Sequence, residues 1–446
     1  EFDPESGSGR GWVQGDDIDL VNWLGDVDLA GVELFSGRGD VAAWIALEYG
    51  SIASLHLETE LSDVALRGRS AIVLPEAQGE VEPRYGMERL ALALHLQRTQ
   101  AEEESHWQVQ LDRLEIDAGD AHTRRAGLRA SSGDRIRLDA SFDEIGPPLA
   151  IAMLSDRLPE GLRRWLYFAA PRGALPQVVL EGSGRETFRV DADVRALSWQ
   201  PALGAPGVAE LGGRIEGDAA AWTFDIDPAV VEIDAPGMLI EALHPRLSGQ
   251  LQAFAQEPGW RIETDRLGVV GEDYAFEVAG GIELQGDGSR PLLDLRAEVA
   301  PGSILAAKHF WILNRMPPPS VRWLNEALLE GRLEYGALIV RGDGDDWPFH
   351  EQQGRLEAEA RIADTRLRYR NDWPVGEGVA GTARFINQSI EFDLSGQVLG
   401  NRLKRVTGGI ADLREPMLEL DVRGGGRGAD LLALLRASPL QHRYGS

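Results

Sequence analysis

The side chains that could do chemistry in this chain do not converge. Eight histidines are scattered through the sequence, with no His-Glu-x-x-His or other closely spaced ligand pair. His56 and His95 fall on strand-like stretches, at positions opposite the apolar ones, where a solvated imidazole is expected. Asp343-Gly344-Asp345-Asp346 resembles the opening of a calcium loop, but its twelfth position is Gly354, where a bidentate Glu is needed. An acidic turn is the expectation there. Neither a Gly-x-Ser-x-Gly elbow nor a phosphate-binding Walker loop occurs. The absence of cysteine excludes disulfides, thiol catalysis and zinc-thiolate sites. Asp and Glu are numerous enough for paired-carboxylate glycoside chemistry, yet their even spread marks the wet side of a sheet. Arg38-Gly39-Asp40 spells an adhesion triplet of a kind that arises by chance in Gly-rich chains. The expectation is a protein that is not an enzyme and uses no cofactor or metal.

Composition narrows the partners. The chain has 446 residues, enough for about three domains or one long repeat array. Its 45 basic and 72 acidic residues leave a net charge of −27. Such a balance argues against nucleic acid, whose affinity comes from basic patches, and against holding an anionic membrane by charge. No stretch approaches the ~20 apolar residues of a spanning helix. The opening EFDPESGSGR lacks Met and any signal-peptide pattern, so a soluble, excised piece is expected. Absence of Cys suits the cytosol and a bacterial periplasm equally.

What remains is apolar patterning. Between Pro317 and Pro374 a short amphipathic helix, with Ser320 as N-cap, Val321, Leu324 and Leu328 on one face and Gly331 as its stop, feeds a run of strands. There Leu333, Tyr335, Ala337 and Ile339 alternate with other residues, as do Leu356, Ala358, Ala360 and Ile362. An earlier copy runs from Arg157 to Gly184, with Leu162, Trp165, Leu166 and Ala169 on one face and Gly173 as stop. The two tryptophans, Trp165 and Trp323, are 323 − 165 = 158 residues apart. A long internal repeat follows, with segments 1–156, 157–316 and 317–446. Elsewhere alternation marks strands around Leu55–Leu61, Leu90–Leu96, Trp107–Leu111, Ile136–Phe142, Trp222–Ile226, Tyr274–Val278, Leu293–Val299, Ala383–Leu394 and Leu418–Val422. Short helices are expected near 18–24, 304–313 and 429–435. Gly212-Gly213, Gly249, Gly280-Gly281, Gly354, Gly381 and Gly408-Gly409 read as turns. The fold class is therefore mainly β: an elongated, curled antiparallel sheet forming a repeating β-groove, with a few short amphipathic helices.

The order Leu-Pro-x-x-Leu-Arg-Arg-Trp-Leu from Leu158, its second copy at Val321–Leu333, then Trp347-Pro348-Phe349, Gly354-x-Leu356, Tyr369 and Trp373-Pro374 resembles the YhdP branch of the AsmA-like proteins. The likeness is strongest between Leu158 and Phe392 and thin before Gly50. It implies a periplasmic protein anchored in the inner membrane by an N-terminal helix that this sequence lacks. It also implies movement of phospholipid between inner and outer membranes along a β-groove. Combined with the alternation, it makes Leu55, Leu57, Leu92, Leu94, Leu138, Phe224, Phe276, Phe385 and Phe392 the candidate groove lining, with acyl chains as the partner. Trp165 and Trp323 are expected to pack helix on sheet, or else to sit at the groove rim. A non-catalytic periplasmic scaffold that spaces or recruits partners is the alternative. The lipid, its direction of travel and the oligomeric state stay open.

Overall fold

The computed structural model describes residues 2–3, 6–24, 31–74, 79–101, 104–132, 135–183, 187–257, 259–285, 289–311, 316, 318–347, 349, 351–415 and 417–441. It divides into two compact units, Glu1–Asp227 and Pro228–Ser446. Each is built on antiparallel strands ordered by sequence, so that almost every strand pairs with the next.

In the first unit the long strands are Ser8–Asp19, Val32–Glu48, Ser51–Gly68, Arg84–Ala101 and Glu104–Ala118, followed by Ala126–Ser131, Ile136–Phe142, Arg172–Gly182, Phe188–Trp199, Gly207–Asp218 and Ala221–Val230. The helix expected over 18–24 is one short turn, α1 (Leu20–Leu24), between two long strands that carry little regular alternation. Two helices interrupt the meander, α2 (Gly146–Leu154) and α3 (Glu160–Ala169). α2 opens on Pro147-Pro148, which pre-set φ in a first turn where no N–H is needed. Gly173 does not stop α3. The helix ends at Ala170, which takes the left-handed cap conformation itself, and Gly173 lies in the following strand.

The second unit runs through strands Arg246–Gln256, Gly259–Val270, Ala275–Leu284 and Leu292–Val299, then Leu328–Asp343, Arg355–Leu367, Gly376–Ile386, Ser389–Val398, Asn401–Ile410 and Leu418–Gly425. A 3-10 turn (Ile304–Phe310) and helix α4 (Pro318–Ala327) precede Leu328, and α5 (Gly428–Arg436) follows the last strand. The expected apolar helix over 304–313 is thus the tighter 3-10 form, and 312–313 lie outside the described residues. Ser320 sits inside α4 rather than capping it, and Gly331 lies within the strand that α4 runs into. The Asp343–Asp346 stretch is an acidic turn whose Asp343 carboxylate accepts from the Asp345 N–H. Asn387-Gln388 forms the turn between its two strands.

The repeat is visible element by element. The 3-10 turn begins 304 − 146 = 158 residues after α2, and α4 begins 318 − 160 = 158 after α3. Past the next strand the offset grows to 392 − 224 = 168, because strands Leu328–Asp343 and Arg355–Leu367 are longer than their counterparts and so is the connection between them, which contains Phe349. Phe349 is completely buried, and a Cβ on Gly342 or Gly354 would strike its ring. Asn387 fastens this connection, accepting from the Leu356 N–H at 2.8 Å and donating to the carbonyl of Gly354.

The glycines expected as turns lie mostly inside strands. Gly280 (φ 111°) and Gly381 (φ 143°) occupy backbone that L side chains rarely adopt, and a Cβ at either would collide with the carbonyl oxygen of Asp294 or Asp393 on the neighbouring strand. Both stand at or beside register shifts, where the ladder bends. Gly280→Ala should therefore lower stability by roughly 1–3 kcal/mol, read as a reduced denaturant midpoint at unchanged m. An unchanged midpoint would mean that the close approach does not exist.

Candidate functional site

Cross-strand partners in an antiparallel sheet share a face. In the first unit one row of such partners runs Val13, Ala43, Leu57, Leu94, Leu111, Leu128, Ala140, Val178, Ala192, Ile215 and Phe224, crossing eleven strands without a polar residue. A parallel row runs Ile45, Leu55, Leu96, Val109, Ala130, Leu138, Leu180 and Val190. In the second unit the row is Leu247, Val269, Phe276, Val299, Gly336, Ala360, Ala383, Phe392, Gly408 and Leu420. Beside it run Leu338, Ala358, Phe385 and Ile390. The last five residues of the first unit's leading row, Ala140 to Phe224, correspond through the repeat to Val299, Gly336, Ala360, Ala383 and Phe392.

One end of each face is covered. In the first unit α2 and α3 lie over Leu61, Val64, Leu66, Met87 and Ile116, and form with them the unit's main core. Arg163 of α3 is buried and donates to the carbonyls of Met153 (3.0 Å) and Ser70 (2.6 Å), so it satisfies an end of α2 that has no helical partner. In the second unit the 3-10 turn seats Ile304 and Leu305 against Leu328, Leu333, Ile362 and Val379. Away from these covers the face is open. Leu55, Leu57, Leu92, Leu94, Leu138, Phe224, Phe385 and Phe392 are half-buried, and none belongs to the cluster beneath the helices of its unit. Val13 and Leu420, in the same rows, are 43% and 50% exposed.

The remaining candidates differ. Phe276 lies in the row, but Phe310 meets its ring edge-on at 5.4 Å and Tyr274 stacks at 6.1 Å, so it belongs partly to the cover. Burial raises the Tyr274 phenol above its ordinary value, and the neighbouring Asp273 adds to this. Trp165 packs against the core under α3, 6.4 Å from Trp199. Trp323 is 41% exposed and donates its Nε1–H to the Tyr369 carbonyl at 2.9 Å. Tyr335, Ala337 and Ile339 point to the other face. A register shift between Leu333 and Tyr335 inverts the parity, so that Leu338 and Val340 face the rows instead.

The opposite face is charged. Arg89 joins Glu60 (2.6 Å) to Glu115 (2.8 Å), and Arg405 pairs with Asp393 (2.8 Å). Hydrogen bonding from Arg113, opposed by partial burial and aided by Arg89, holds the Glu115 carboxyl below its ordinary value. His56 and His95 are cross-strand neighbours on this face, their rings 5.8 Å apart, with Trp44 5.1 Å from His56. Among the described residues no group of three or more His, Cys, Asp or Glu could hold a metal ion, and no helix is long and apolar enough to cross a membrane.

Sequence reasoning missed Val178, Ile215 and Leu338 as members of the rows, and Val340 on the same face. Val178-Val179-Leu180 is a continuous apolar run in which either parity fits, and only the register decides. The covers were also missed in part: α2 is apolar all round its circumference, without the stripe that marks a helix laid on a sheet.

Two tests follow from the covered and open ends. Leu154→Ala, in the fully buried cover, should cost about 2–5 kcal/mol, whereas Leu94→Ala on the open row should cost about 1 kcal/mol or less. Equal losses in urea unfolding would make the open row core. Separately, Glu115 has a folded pKa below its unfolded one, so the stability it gains from arginine is present above the ordinary carboxylate range and is lost as pH falls through the depressed value. The difference in Tm between wild type and Arg89→Gln should accordingly shrink towards zero on acidification.

The model of the YhdP protein family matches residues 1–446. Among curated proteins, the chain is 21% identical over 443 residues to the intermembrane phospholipid transporter YhdP of Escherichia coli (strain K12). That match covers 94% of this chain and 33% of the relative, so the chain spans about a third of that protein's length. No solved structure matches. With the family model matched from end to end, the chain belongs to the YhdP family.

Proposed function

We propose that this chain forms one stretch of a route for phospholipid between the inner and outer membranes of a Gram-negative envelope, and that acyl chains travel on its open apolar rows. Segments 1–156, 157–316 and 317–446 are then successive stretches of the groove. The observation that carries the reading is the row from Val13 to Phe224: eleven apolar residues on eleven strands, half-open to solvent over much of their length. A soluble domain gains nothing by leaving so long an apolar face uncovered. The name of the Escherichia coli relative supports the same reading.

The physics asks little of individual residues. Each methylene taken from water onto the face gains roughly 0.8 kcal/mol. Such a surface retains a chain without any directed contact and lets it slide from strand to strand, because every row offers the same apolar environment. Along the rows themselves the headgroup stays in water, so the apolar face admits mixed lipids. A role without catalysis fits the dispersal of the titratable groups over the charged face. Placement in the periplasm, with the anchor and the membrane contacts supplied by other segments of a longer chain, completes the proposal. No nucleic acid is a partner, given the net charge of −27.

The first test is mass spectrometry of lipid extracted from the purified protein beside Leu94→Asp and Phe276→Asp. Wild type should carry phospholipid, and Leu94→Asp should lose it while keeping its cooperative melt. Phe276→Asp should lose lipid and some stability together, given its contacts with Phe310 and Tyr274. A folded wild type free of lipid would instead favour a scaffold that spaces envelope partners.

A further inference from the structure

One concavity stands apart from the rows. It is a solvent-open hollow of about 350 Å³ at α4 and the segment after strand Arg355–Leu367, lined by Tyr369 and by the exposed Trp323, Glu326, Arg368, Arg370, Asn371 and Asp372. Its frame is rigid. The Arg368 N–H donates to the Ala327 carbonyl at 2.8 Å, and Trp323 is tied to Tyr369 as described. Arg370 is neutralised by Asp372 at 2.7 Å, and Asn371 approaches Glu326 at 3.5 Å. The guanidinium of Arg368, by contrast, has no hydrogen-bond or ion-pair partner among the described residues. The lining therefore includes one uncommitted cation, one carboxylate held only by a neutral amide, and the aromatic surface of Trp323 and Tyr369.

We propose that this concavity binds a zwitterionic phosphate ester, a phosphodiester a few atoms from an ammonium group. The Arg368 fork takes the phosphate oxygens, a geometry for which guanidinium is suited. Glu326, with the ring surface of Trp323, takes the ammonium. A zwitterion also answers the charge of the whole chain: at −27 a bare anion is repelled over the surface, whereas a ligand of no net charge approaches without that penalty. The first unit provides an internal control. There Gln200 donates to the Ala169 carbonyl as Arg368 does to Ala327, but the position equivalent to Glu326 is Phe168 and that of Arg368 is Gln200 itself. The same frame without the charges carries no such pair.

The lipid headgroup as source rests on the transport reading; the chemistry of the pocket does not. The probe is glycerophosphoethanolamine, which has the headgroup and no acyl chains, followed by ³¹P NMR titration beside inorganic phosphate. Wild type should bind it saturably and prefer it to inorganic phosphate. Arg368→Ala should weaken binding at least tenfold, with Arg368→Gln giving the same result if the alanine variant fails to fold. Glu326→Gln should erase the preference for the zwitterion. Absence of saturable binding, an Arg368→Ala protein that binds as wild type does, or inorganic phosphate bound as tightly would each overturn the proposal. Lipid extracted from the same preparation separates the two readings: phospholipid present without headgroup binding removes only this site, and headgroup binding to lipid-free protein removes only the transport role.

Discussion

In an antiparallel sheet a single out-of-step residue turns everything beyond it to the other face, so eleven strands can keep one apolar surface only if every register agrees. The rows from Val13 to Phe224 and from Leu247 to Leu420 meet that condition through many irregularities in the ladder. Between Leu94 and Ala93 the partner strand inserts Asp112, and Leu111 and Leu114 still face the same way. At Leu333 and Tyr335 the shift again preserves the rows, at the cost of turning Tyr335 and Ile339 outwards. The irregularities bend the strands and the parity survives them.

From parity follows the division of labour between faces. Arginine–carboxylate pairs such as Arg89 with Glu60 and Glu115 recur on the charged face, where they are solvent-screened and individually weak. Their main effect is to keep that surface wet and unattractive to other sheets. The apolar face is left to packing alone, and few helices cover it. α2, α3 and the 3-10 turn each shield one end and leave the remainder open.

Much of this was legible in the residues. Leu55, Leu57, Leu92 and Leu94 alternate cleanly, and the register puts them on one face with Leu138 and Phe224. The spacing of Trp165 and Trp323 matched the offset of whole helices. What was illegible has physical causes. Strand glycines resemble turn glycines until the neighbouring carbonyl that excludes a Cβ is known, as at Gly280 and Gly381. A helix that lacks a polar side, like α2, has no stripe to detect. Parity past a bulge depends on the register with the partner strand, here Arg355–Leu367, and no pattern within Leu328–Asp343 alone reveals it. The Arg368 concavity depends on a loop folding back on α4, and no local pattern announces that.

The uniformity of the rows has a historical consequence. A position that must only be apolar can exchange Val, Ile, Leu, Ala or Phe with little effect on the whole, as Ile215 and Ala383 already do at equivalent places in the two copies. Lineages sharing such a surface can drift until few letters agree, while their strand order persists. An identity of only 21% to the Escherichia coli protein across nearly the whole chain is in keeping with such drift. Ancestry in this fold is written in spacing, and alphabetic agreement is its poorest witness.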